Sequence, residues 1–169
     1  MSASETKIRI RPAMASDAAP LCAILNAIIE IGGTTAFEIP LNAERFGDYF
    51  LDGDGFLACL VAEDLASGAP LGFQSLSRDP DLPENWADIA TFAETAPRTP
   101  GVGTALFAQT SIEASALELA AINAVIRADN RGGLAYYDKM GFETYRIAEA
   151  IPLRDGTPVD RIFKRYLLG

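Results

Sequence analysis

The loop Arg98-Thr99-Pro100-Gly101-Val102-Gly103-Thr104 has residue types and spacing that suit a chemical task. Gly101 and Gly103 let main-chain N–H groups turn outward with no side chain in the way. A strand-like run, residues 86–94, leads in, and a helical run follows. The first amides of a helix lack intrahelical partners and lie at the positive end of its dipole. The loop therefore suits a phosphate or pyrophosphate, with Arg98 as an added cation. A glycine turn that binds nothing would carry the same residues, so a G-x-G after a strand needs support from elsewhere in the chain.

What the chain lacks narrows the chemistry further. There is no histidine among the 169 residues. Ser-His-Asp and Cys-His catalysis are excluded, as is a histidine-ligated metal, and no metal is expected. Acid–base work must fall to carboxylates, tyrosine, lysine or water. Cys22 and Cys59 lie far apart in apolar surroundings and read as small core residues. A net charge of -9 argues against a nucleic-acid partner, which rewards clustered Lys and Arg. No run is apolar enough to span a membrane. Residues 1–7 are polar with no signal-peptide core, so a cytoplasmic protein is expected.

The elements that must position the loop follow in order. At 49% hydrophobic residues, the chain reads as one α/β domain with a sizeable core. Residues 7–12 alternate polar and apolar and form a first strand ending at Pro12. Asp17 is the expected N-cap of a helix with Pro20 in its first turn and Leu21, Ile24, Leu25 and Ile28 as its buried stripe. Gly32-Gly33-Thr34-Thr35 breaks that helix, and Phe37-Glu38 follows on a loop. A short helix over residues 42–51 turns Phe46 and Phe50 inward, and strands at 56–63 and 71–77 form a hairpin.

After the 86–94 strand and the glycine loop, the next helix is expected to bury Val102, Ala105, Ala108, Ile112, Ala116 and Leu119. Residues 122–126 suit a buried parallel strand. A helix capped by Asp129 or Asn130 ends at Lys139-Met140-Gly141. Two more strands, about 143–153 and 159–167, turn at Arg154-Asp155-Gly156. The strands flanking the glycine helix should be parallel neighbours joined by a right-handed crossover. That puts the helix end at the sheet's carboxyl edge, where ligands of open α/β sheets usually sit.

With the loop in this context, Arg98-x-x-Gly101-x-Gly103 resembles the Q/R-x-x-G-x-G/A signature of GNAT-type N-acetyltransferases. Asn130…Ala135-Tyr136-Tyr137-Asp138-Lys139-Met140-Gly141-Phe142 resembles the family's N…A-x-Y-x-K-x-G-F stretch. The opening Ile10-Arg11-Pro12-Ala13 and the order of elements are similar as well. The resemblance covers nearly the whole chain. It implies a mixed, mostly antiparallel sheet of about seven strands, splayed between the fourth and fifth, with about four helices on both faces. Within the family, Asn26-x-x-Ile29-Glu30 followed by Thr34-Thr35-x-Phe37 resembles the phosphinothricin-acetyltransferase-like branch. That branch carries a strand glutamate, thought to act as base, where this chain has Asp88. Its C-terminal histidine and tryptophan have no counterpart near Gly156-Thr157-Pro158, so its particular substrate does not carry over.

The resemblance implies acetyl-CoA as co-substrate and the primary amine of a small molecule, amino-acid-like in the branch, as acceptor. Acetyl transfer needs a held thioester, a free amine, a stabilised oxyanion and a proton for the leaving thiolate. Orientation alone can supply roughly 7–11 kcal/mol, so no protein nucleophile is required. By resemblance, Tyr137 is the general-acid candidate beside the CoA sulfur, while Tyr136 points about 100° away and reads as structural.

Asp88 is the base candidate, acting through water. Strand alternation puts it on one face with Trp86, Ala90, Phe92 and Glu94, and Glu94 is its rival, with Glu30 and Glu38 more remote. The loop residues Arg98, Thr99, Pro100, Gly101, Val102, Gly103 and Thr104 would hold the pyrophosphate. Main-chain groups of Ala93 and Thr95 would pair with the pantetheine arm as with an added strand. Asn130 would touch that arm or hold the strand edge, although a plain N-cap would look identical. Phe37, Glu38 and Arg78 fall where the acceptor pocket should form, with Arg78 able to pair with a carboxylate or to serve only as a loop charge. Two-fold homodimers are frequent in such enzymes, so a dimer is expected by resemblance.

A non-catalytic acyl-CoA-binding or sensing domain on the same scaffold is the alternative, since Asp88 is shorter than the branch's base. A nicotinamide-dinucleotide site is a poor match. The third glycine of G-x-G-x-x-G would fall at Leu106, and the loop follows an interior strand.

Overall fold

The computed structural model describes residues 5–169. The reading of residues 1–7 as a polar start without a leader therefore lies largely outside the described residues. The order is β1 (Ile8–Pro12), a single 3-10 turn, α1 (Ala18–Ile31), α2 (Ala43–Phe50), β2 (Phe56–Asp64), β3 (Pro70–Ser77) and β4 (Trp86–Ala93). Then come α3 (Val102–Ala116), β5 (Ala121–Arg127), α4 (Arg131–Met140), β6 (Glu143–Pro152) and β7 (Pro158–Leu167). All seven strands share one sheet, in the order β1-β2-β3-β4-β5-β7-β6. Only β4 and β5 run parallel, as expected for strands joined through α3. Every other neighbour is antiparallel.

Alternation along the strands builds two cores. On one face, Leu21, Ile24, Leu25 and Ile28 of α1 and Phe46 and Phe50 of α2 pack on Val61, Phe73 and Phe92. Phe46, Phe50, Phe73 and Phe92 form a chain of ring contacts with centroids 4.9–6.1 Å apart. On the other face, α3 and α4 cover Leu60, Ala62, Leu71, Ile89, Ile122 and Ile126. Both cysteines are buried and unbridged, as their surroundings in the sequence imply.

Two sequence expectations are corrected. The α3 stripe is rotated: Val102, Leu106, Phe107, Thr110 and Ala114 face the sheet, while Ala108 and Ala116 are exposed and Ile112 is 60% exposed. Apolar residues surround this helix, so spacing alone could not choose a face, and the larger Leu106 and Phe107 side chains took it. Asp17 does not cap α1 with its side chain. Its carboxylate instead takes two hydrogen bonds from Arg11, each 2.8 Å, and one from the Met14 amide at 2.7 Å. Arg11 also bonds Glu63 at 2.8 Å, so a buried ion cluster ties β1 and β2 to the start of α1.

Candidate active site

β4 and β5 pair at only three positions, Trp86↔Ala121, Ala87↔Ile122 and Asp88↔Asn123. Beyond Asp88 they diverge, although β4 stays bonded to β3 as far as Ala93 and β5 to β7 as far as Arg127. The result is a gap walled by two strands, each paired on its far side only. The Glu94 amide turns toward β3, bonding the Leu71 carbonyl at 2.9 Å. Main-chain direction alternates along an extended strand, so the N–H and C=O of Ala93 face the gap.

The glycine loop closes the same end of the sheet. Gly101 is left-handed, φ 85°, and so starts α3 in a conformation that other residues resist. The first α3 amide to reach a main-chain acceptor is that of Ala105, bonded to Gly101 O at 3.0 Å. The amides of Val102, Gly103 and Thr104 precede it and form the open end of the helix. Arg98, Pro100, Gly101 and Thr104 are exposed beside them, with Thr99 partly so. Gly103 has a different reason to be glycine from the one its motif suggests. A Cβ there would stand 2.6 Å from the Tyr136 ring.

Tyr136 is therefore more than a surface tyrosine of α4. Its hydroxyl donates to the Gly103 carbonyl at 2.7 Å and accepts from Gln74 Nε2 at 3.0 Å. Gln74 also donates to Thr91 Oγ1 at 2.9 Å, and Thr91 Oγ1 shares a 2.8 Å bond with the Tyr137 hydroxyl. One polar network thus runs from the glycine loop through β3 to Thr91, on the unpaired stretch of β4, and ends at Tyr137. Burial pushes the Tyr136 hydroxyl up to about 12 and raises that of Tyr137 further. Both are protonated at neutral pH and able to donate. Gln74, Thr91 and the role of Tyr136 were not singled out in the sequence; the one clue was a lone glutamine inside an apolar strand.

Asp88 lies at the last paired position before the strands part, on the α1–α2 face. Its Oδ1 accepts from Asn123 Nδ2 at 2.9 Å, and Asn123 Oδ1 accepts from the Tyr145 hydroxyl. Burial lifts the Asp88 carboxyl to about 6; the Asn123 N–H opposes the shift and the charge of Asp79 adds to it. Glu94 is partly exposed beyond the end of β4. Asn123, only 1% exposed inside the apolar run 122–126, was the available signal for this partner.

The three acceptor-pocket candidates are all engaged. Phe37 packs edge-on to Tyr49 at 5.3 Å and against Phe50 at 5.9 Å. Glu38 accepts from the Arg154 amide at 2.9 Å, joining the α1–α2 loop to the β6–β7 turn. Arg78 donates to the Glu84 carbonyl at 2.7 Å, the loop role left open above. Asn130 uses both ends of its amide, capping α4 through the Gly133 N–H and donating to Thr34 O, each at 2.9 Å. Buried Arg127 donates to Thr35 O at 3.3 Å and pairs with Asp129 at 2.8 Å, so the loop after α1 is latched twice onto the end of β5.

An open cleft of about 500 Å³ lies on the Asp88 face, between Trp86, Val125, Tyr145, Phe163 and the 79–83 connection. Its walls begin two residues from Asp88 and include Tyr145, the far end of the Asn123 contact. Among the described residues, no cluster of ligating side chains could hold a metal, and no helix is long and apolar enough to cross a membrane.

The splayed parallel pair, the helix end beside it and the strand order are those of the GNAT N-acetyltransferase fold. The structure superposes on a GNAT-superfamily phosphinothricin acetyltransferase from Sinorhizobium meliloti, solved with acetyl-CoA. The TM-score is 0.82 and the identity 24%, over 96% of this chain and 89% of that one. A ribosomal-protein-alanine N-acetyltransferase from Brucella melitensis matches at TM-score 0.81 and 24% identity, over 95% and 99% of the two chains. An N-acetyltransferase from Staphylococcus aureus Mu50 matches at 0.82 and 18%, over 97% and 100%. No protein-family model and no curated protein matches the sequence. At these identities the shared property is the fold, and the acceptors named for the first two differ.

Proposed function

We propose that this chain is an acetyl-CoA-dependent N-acetyltransferase that transfers the acetyl group to the primary amine of a small molecule by direct attack in a ternary complex. The observation that carries the reading is the three-pair contact between β4 and β5 beside the open end of α3. A gap lined by unpaired main chain suits an extended, amide-bearing arm, and outward helix amides suit the diphosphate attached to it.

Acetyl-CoA supplies an activated acetyl thioester. The amides of Val102, Gly103 and Thr104, with Arg98, Thr99, Pro100 and Gly101 around them, would hold the pyrophosphate. Ala93 and, one alternation further, Thr95 would pair with the arm. Asn130 contributes by fixing the start of α4 and the loop after α1, since its amide is already engaged. Tyr137 keeps a neutral phenol at the gap and donates the proton that a departing thiolate needs. Asp88, across the strand pair, takes the proton from the amine, directly or through water.

The cleft beside Trp86 and Tyr145 admits the acceptor; amino-acid-like amines are the first to try. In this reading Phe37, Glu38 and Arg78, which lie outside that cleft's lining, hold the loops that carry them. The enzyme is further read as cytoplasmic and as a two-fold dimer, the latter measurable by light scattering. Thiol release from acetyl-CoA, followed with a panel of primary amines, tests the activity. Turnover with at least one amine is expected. Coenzyme A binding without turnover on any amine would overturn catalysis and favour a sensing domain.

A further inference from the structure

We propose that Asn123 and Tyr145 are positioning residues for Asp88, forming a one-directional chain of donors that holds its carboxylate ionised and aimed. The inference rests on the reading of Asp88 as the base and extends it to two residues outside every motif.

The geometry is specific. An ionised carboxylate can only accept, so the side of the Asn123 amide that faces Asp88 must be its NH2. Nδ2 is found there, 2.9 Å from Asp88 Oδ1. That leaves the Asn123 carbonyl pointing away, in a side chain that is only 1% exposed and so shielded from bulk solvent. The Tyr145 hydroxyl fills the position as donor. Tyr145 thereby sets which way the amide faces, and its O–H polarises the amide toward a better N–H donor. With phenylalanine at 145, the carbonyl would lose its donor and nothing would oppose rotation of the amide. With leucine at 123, the carboxylate would face an apolar side chain.

The chain joins three elements at the point where the strands separate: β4 supplies Asp88, β5 Asn123 and β6 Tyr145. Tyr145 is itself held, edge-on to Trp86 at 5.8 Å and under the Arg165 guanidinium at 5.4 Å. Several other charged or titratable groups bear on this carboxyl. Asp79 from the β3–β4 connection opposes its ionisation. Arg165 of β7 lies opposite Asn123 in register, Arg146 of β6 acts on Tyr145, and Tyr137 of α4 lies across the sheet. None of these groups makes a hydrogen bond to Asp88; Asn123 does.

The test is ¹³C NMR titration of the Asp88 carboxyl carbon in the full chain, assigned by its loss in Asp88→Asn, together with pH profiles of kcat/KM. Asn123→Leu is expected to move the Asp88 midpoint upward by about one pH unit. Tyr145→Phe should move it in the same direction by roughly half as much. The acidic limb of kcat/KM should move with it, while KM for acetyl-CoA stays unchanged. A midpoint that stays put in both variants overturns the proposal. If Asn123→Leu does not fold, Tyr145→Phe decides alone, an upward shift upholding the chain and no shift overturning it. If Asp88→Asn keeps the parent's acidic limb, the assignment of Asp88 as base fails, while the NMR midpoints still judge the chain.

Discussion

The Tyr136 hydroxyl donates to the Gly103 carbonyl, and the Tyr136 ring occupies the space that a Cβ at Gly103 would need. The glycine loop is thus held in shape from α4, a part of the chain more than thirty residues away.

Gly103→Ala tests that relationship. Alanine would normally stabilise a helix position by up to about 1 kcal/mol. Here the added methyl must displace a hydrogen-bonded ring, and overpacking of this kind costs about 1–3 kcal/mol. The expected result is a lower Tm and a coenzyme A dissociation constant raised about tenfold by calorimetry. A variant that melted higher and bound coenzyme A normally would show that Tyr136 does not brace the loop.

The Asp88 carboxyl gives a prediction in pH. Burial favours the neutral acid and lifts the group to about 6. As a base it must be ionised, so kcat/KM should rise with pH through about 6 and level off above it. Asp88→Asn should abolish that limb and lower kcat by roughly 100-fold. The effect on stability has the opposite sign. A carboxyl raised above its unfolded value contributes stability at low pH that is lost as pH rises through about 6, so Asp88→Asn should be the more stable protein at pH 8. Urea melts of both proteins at pH 5 and pH 8 check this.

Tyr137→Phe should separate chemistry from folding. The ring is buried and its contacts survive, while Thr91 loses one hydrogen-bond partner. We expect kcat to fall by about 100-fold with little change in KM for acetyl-CoA. Undiminished kcat would remove Tyr137 from proton delivery.

The ion cluster that ties β1 and β2 to the start of α1 should govern acid stability. Hydrogen bonds from the Arg11 guanidinium hold the Asp17 carboxyl below its usual range, despite burial that pushes the other way. Its contribution is complete above the unfolded carboxylate value and disappears as pH falls through the lowered folded one. Asp17→Asn should cost about 3 kcal/mol at pH 7, because it leaves the half-buried Arg11 guanidinium with one charged partner fewer. The difference from the parent should shrink in denaturant melts near pH 3; a constant difference across pH would mean the cost is steric.

Much of this architecture was legible in the chain because the strong signals were local. Gly141 is left-handed at the end of α4, and Phe46 and Phe50 turn inward, each as residue type and spacing imply. The parallel pairing around α3 followed from handedness, and the unpaired stretch of β4 from the family resemblance. Side-chain partners across the sheet were not legible. Asp17 read as a cap because Asp before a helix often is one, yet Arg11 outcompetes the helix amides for its oxygens. Asn123 passed unnoticed inside the run 122–126, since nothing local places it against Asp88 and Tyr145. Gly103 read as a ligand contact, though its neighbour Tyr136 is brought to it only by the packing of α3 on α4.

The brevity of the β4–β5 contact also has a mechanical consequence. Strands β1–β4 and β5–β7 form two leaves joined only along Trp86, Ala87 and Asp88. Amide hydrogens of Thr91 and Ala93 should exchange quickly in the free protein for want of acceptors on that side. A molecule lying between the leaves would supply those acceptors and turn two half-sheets into one continuous surface.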